Sequence, residues 1–92
     1  MTSLETTIRA HLTAYLANAE SFADFTAWMY RTILNIDQYG EPAASDLGYA
    51  VMLALAEFDS GVLTLAEFRQ ELSALNAGIP APFGAARSSA AD

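Results

Sequence analysis

Ninety-two residues make one domain with a modest core. The net charge of −7 sets 11 acidic residues against four basic ones, all arginine. Such a surface repels nucleic-acid phosphates and anionic lipid headgroups, and it suits a basic protein partner, mimicry of nucleic-acid phosphates, or simple solubility. The absence of cysteine excludes disulfides, thiolate zinc sites and cysteine nucleophiles, and fits a reducing cytoplasm.

Residues 1–7 show neither the basic start nor the apolar stretch of a secretory leader. Thr2-Ser3-Leu4-Glu5 reads as a capping box, with the Thr2 hydroxyl accepting a free amide and Glu5 reaching back. Leu4, Ile8, Leu12 and Tyr15 follow at helical spacing, so a first helix is expected over about residues 3–17. Asn18 can adopt the left-handed conformation that ends it. Ser21-Phe22-Ala23-Asp24 opens a second helix with the stripe Phe22, Phe25, Met29, Ile33 and Ile36, expected to end near Gln38 before Gly40. Glu41-Pro42 starts a third, with proline preset for the first turn and Leu47, Val51, Ala54, Leu55 and Phe58 on one stripe. Gly61 stops it. Thr64-Leu65-Ala66-Glu67 is the clearest capping box, opening a fourth helix that carries Leu65, Phe68, Leu72 and Leu75 up to Gly78. Beyond Gly78, the prolines at 80 and 82 bar further helix, and the small polar run 85–92 is expected to be a disordered tail, dispensable for folding. The longest apolar run, 49–56, is too short to cross a bilayer.

The two halves match at an offset of 43 residues. Leu4, Ile8, Leu12 and Tyr15 fall on Leu47, Val51, Leu55 and Phe58, and Asn18 falls on Gly61. Ser21 to Phe25 fall on Thr64 to Phe68, and Met29 on Leu72. Caps, stops and core stripe agree together. The expected fold is therefore all-α, a compact four-helix bundle of two similar helical hairpins around a pseudo-two-fold axis over residues 1–78, with a tail over 79–92.

No catalytic, cofactor or metal chemistry is expected. The run from Asp59 to Phe68 matches the second half of a calcium-binding EF-hand at Gly61, Leu63 and Glu67. The first, third and fifth loop positions are Ala56, Phe58 and Ser60, however, and two of these lack a side-chain oxygen; the capping-box reading is preferred. His11, the single histidine, has no companions at a metal spacing and reads as a partly buried structural residue. Direct DNA reading is disfavoured, since the second and fourth helices carry one arginine each, Arg31 and Arg69. Glu67 and Glu71, four apart, read as a solvated helix face.

Two features exceed what a minimal bundle needs. Tyr49, Met52, Leu53 and Ala56 lie opposite the main stripe of the third helix, and Tyr30 and Leu34 lie off the stripe of the second. Either these helices are central and touch two neighbours each, or the face is open to a dimer mate or another protein. Glu57 and Asp59, in the last turn of the third helix, sit where the helix dipole disfavours anions. With Asp37 and Glu41 they are placed to form an acidic rim around that face. Partner-binding residues are thus expected at Tyr30, Leu34, Tyr49, Met52, Leu53, Ala56, Glu57 and Asp59.

The segment 12–16, the short turn after it, and Ser21-Phe22-Ala23-Asp24-Phe25 resemble the opening of colicin-D-type immunity proteins. The resemblance covers the N-terminal third of the chain. It implies a small acidic helical protein that neutralises a toxic ribonuclease domain by binding it, and it assigns no contact residues here. The combined expectation is a non-enzymatic protein-interaction module of the cytoplasm, an inhibitor or immunity-type protein, with a homo-oligomeric structural protein as the alternative.

Overall fold

The computed structural model describes residues 3–78; the expected tail at 79–92 lies outside the described residues. Four α-helices and one 3-10 turn follow in chain order: α1 (Leu4–Leu16), α2 (Phe22–Ile33), the turn Ile36–Tyr39, α3 (Pro42–Asp59) and α4 (Leu65–Ala77). The expected stripe is the core. Ile8, Leu12, Phe25, Met29, Val51, Phe68 and Leu72 are completely buried, with Leu4, Tyr15, Leu47, Ala54 and Leu55 nearly so. Helix α3 packs against the other three helices, and α1 against α3, α4 and α2.

The repeat extends to the backbone of the two hairpin turns. Ala17 and Ser60 cap their helices with near-identical torsions, and Asn18 (φ 62°) and Gly61 (φ 84°) are both left-handed. The Ala14 carbonyl accepts the amides of Ala19 and Glu20 as the Glu57 carbonyl accepts those of Val62 and Leu63. Ser21 and Thr64 then cap the next helix through their hydroxyls, receiving the amides of Asp24 and Glu67. Above each turn an aromatic pair stacks in the same way: Tyr15 on Phe25 at 5.0 Å and Phe58 on Phe68 at 4.9 Å between ring centres. Thr64 and Glu67 close the full reciprocal capping box.

Four expectations are corrected. The first cap is Ser3, whose hydroxyl accepts from the Thr6 amide, while Glu5 turns to Arg9 at 3.0 Å; Thr2 lies outside the described residues. Helix α2 stops at Ile33 rather than near Gln38. Asn35 leaves helical torsions, and the tighter 3-10 winding carries Ile36 into the core beside Gly48, where a Cβ would collide with Ile36 Cδ1. Phe22 and Leu65, counted in the stripes, are 40% and 52% exposed; Phe22 still sets its ring edge-on against Tyr15, Phe58 and Phe68. Glu71, read as solvated, is buried. It holds the repeat position of Trp28, on the inward flank of its hairpin, where Ala54 stands in place of His11.

Candidate protein-binding surface

Helices α2 and α3 pack side by side. Gly48 admits Ile36, and Ile33 Cδ1 would lie 3.4 Å from a Cβ there. Tyr30 on α2 and Leu34, its C-cap residue, lie on the exposed side of the helix, turned away from the buried Phe25 and Met29. On α3, Tyr49 and Leu53 occupy successive turns of the outward face, away from the buried Leu47, Val51 and Leu55. All four are open to solvent, Leu34 most of all at 80%. The core beneath is complete without them, so the second face of α3 is outward rather than internal.

Of the other expected residues, Ala56 and Asp59 are exposed. Met52 is half-buried and packs against the core, forming the floor of the surface rather than its top. Glu57 is half-buried, with its carbonyl closing the α3–α4 turn.

The acidic rim is partly as expected. Asp37 adjoins the face: it accepts the Tyr49 hydroxyl at 3.1 Å and the Ser45 hydroxyl at 3.3 Å. That hydrogen bond, with desolvation and the carboxylate charge, pushes the Tyr49 phenol above its usual range. Glu41 is turned away and accepts the Leu4 amide at 2.8 Å, capping α1 from across the chain. Asp46, three residues before Tyr49 on the same outward face and exposed, belongs to the rim instead. The spacing Asp46, Tyr49, Leu53 carried this signal in the sequence.

Arg9 and Arg69 face inward, while Arg31 on α2 is exposed. Arg9 donates to the carbonyls of Leu75 and Asn76 at the end of α4. Arg69 donates to the Leu16 carbonyl at 2.7 Å, its guanidinium 5.0 Å from the centre of the Tyr15 ring. His11, partly buried as expected, stacks on Trp28 at 3.9 Å and pairs with Glu20 at 2.8 Å. Among the described residues no three acidic or imidazole groups gather to hold a metal ion, and no helix is long and apolar enough to cross a membrane.

Comparison with family models, curated proteins and solved structures gives no match.

Proposed function

We propose that this chain is a non-enzymatic interaction module that occupies the surface of a basic protein, in the manner of an inhibitor or immunity-type protein. The observation that carries the reading is the α2–α3 face. Four large apolar side chains, Tyr30, Leu34, Tyr49 and Leu53, stand exposed over a finished core, flanked by Asp37, Asp46 and Asp59. An apolar centre with an acidic margin matches a partner of opposite charge around an apolar contact. The inward use of Arg9 and Arg69 leaves that margin unneutralised by either of them. The N-terminal resemblance to colicin-D-type immunity proteins and the cysteine-free composition are in keeping with a cytoplasmic inhibitor of this kind.

The test is Leu53→Arg. The variant should stay folded and monomeric while losing a partner that co-purifies with the wild type, and wild-type capture should weaken as salt rises. A wild-type dimer that dissociates in the variant and is indifferent to salt would favour the homo-oligomeric alternative. A folded variant with unchanged mass and unchanged partner recovery would remove the face from consideration.

A further inference from the structure

A second site lies on the other flank of α2. Between α1, α2 and the 3-10 turn is an open recess of about 680 Å³, lined by Ser3, Thr7, Trp28, Thr32, Tyr39 and Glu41. We infer that this recess binds a soft organic cation, a guanidinium or an alkylated ammonium group, between the two aromatic rings and the Glu41 carboxylate. The inference is independent of the α2–α3 reading.

Glu41 supplies the charge. Its Oε2 is fixed by the Leu4 amide at 2.8 Å, and that bond leaves Oε1 to accept from a ligand. Neither internal arginine neutralises it: Arg9 is held by Glu5 and the end of α4, and Arg69 by Leu16 and Tyr15. Trp28 supplies the first aromatic wall. One face of its indole is covered by His11, with 21° between the ring planes, and Glu20 grips that imidazole in turn. The ring is thus held in place where it lines the recess. Tyr39, 57% exposed on the 3-10 turn, supplies the second wall. A large exposed aromatic contributes little to the fold there, because the core residue of that turn is Ile36.

Aromatic faces attract cations through the ring quadrupole, most strongly for guanidinium and alkylated ammonium groups, whose weak hydration makes desolvation cheap. A carboxylate beside the rings adds a charge-assisted hydrogen bond or a direct ion contact. Anions fit poorly. The first amide of α1 already meets Glu41, and the net charge of −7 repels them.

Trp28 is the single tryptophan, so intrinsic fluorescence reports on the recess directly. The full chain is titrated with choline and with N-acetyl-arginine amide, and in parallel with their neutral counterparts, 3,3-dimethylbutan-1-ol and N-acetyl-citrulline amide. At least one cation should give a saturable change at millimolar concentration or below, with neither neutral compound doing so. Glu41→Gln keeps an oxygen for the Leu4 amide and should weaken binding roughly tenfold. Tyr39→Ala, at an exposed position, should weaken it as well and serves as the deciding variant if Glu41→Gln unfolds. Saturation by choline alone marks a small quaternary amine as the ligand; saturation by the arginine derivative alone marks the side chain of a partner protein. The absence of any saturable change, an equal response to the neutral compounds, or unaltered binding in folded variants would overturn the assignment.

Discussion

Gly48 and Tyr49 are adjacent in the chain and opposed in role. At Gly48, alanine would raise helix propensity by about 1 kcal/mol, yet its Cβ would strike Ile36 Cδ1 in a buried contact. Overpacking a core costs typically about 1–3 kcal/mol. Gly48→Ala should therefore lower the urea midpoint, and a gain in stability would show that Ile36 can move aside. Tyr49 predicts a pH response. Its phenol is raised above the ordinary value of 10.0, first by the hydrogen bond to Asp37. A group whose folded pKa is raised contributes stability that is complete below its unfolded pKa and is lost as pH climbs through the folded value. Phenolate absorbance at 295 nm should thus show a component titrating late, and Asp37→Asn should move that component to lower pH. The same late component in Asp37→Asn would mean that the hydrogen bond is not its cause.

At the scale of the element, the duplicated hairpin makes equivalent residues comparable. Leu12 and Leu55 occupy matching places and are both buried. Each leucine-to-alanine change should cost about 2–5 kcal/mol in urea denaturation, and a near-neutral result at either site would contradict the shared core. The turns differ more sharply. Gly61→Ala places a Cβ in a left-handed conformation and should cost about 1–2 kcal/mol, whereas Asn18→Gly relieves that conformation and should be neutral or stabilising. Helix starts, stops and stripe were legible because each rests on local chemistry: a hydroxyl at a cap, a residue tolerant of positive φ, an apolar side chain every three or four positions. The early end of α2 was not, since it depends on Ile36 meeting Gly48, a contact made only after α3 is in place. Glu71 was misread for a similar reason: i,i+4 spacing shows that two residues share a flank, and does not show what covers it. The outward face of α3 was legible in its residues. The Trp28–Tyr39–Glu41 recess was not, because its walls come from three separate elements.

At the scale of the whole molecule, the question is whether two similar hairpins unfold as one body or as two. Each hairpin has its own stacked aromatic pair and its own caps, which would favour separate behaviour. The contacts between α1 and α4 work against it. Arg9 of the first hairpin satisfies carbonyls at the end of α4, and Arg69 of the second satisfies the end of α1. Thr13 also accepts from the Asn76 side chain at 3.0 Å. Each arginine supplies charge-assisted bonds where the helix dipole favours a cation, about 1.5–3 kcal/mol before allowance for partial exposure. Tyr15 and Phe22 further meet Phe68 and Phe58 across the hairpins at 5.8–6.2 Å. A single cooperative transition is therefore expected, with near-ultraviolet and far-ultraviolet circular dichroism tracing the same urea curve. Arg9→Met and Arg69→Met should each shift that curve to lower urea while keeping the two signals coincident. Separation of the signals in the wild type would show that the hairpins fold independently. Separation in the variants alone would show that the paired arginines are what couples them.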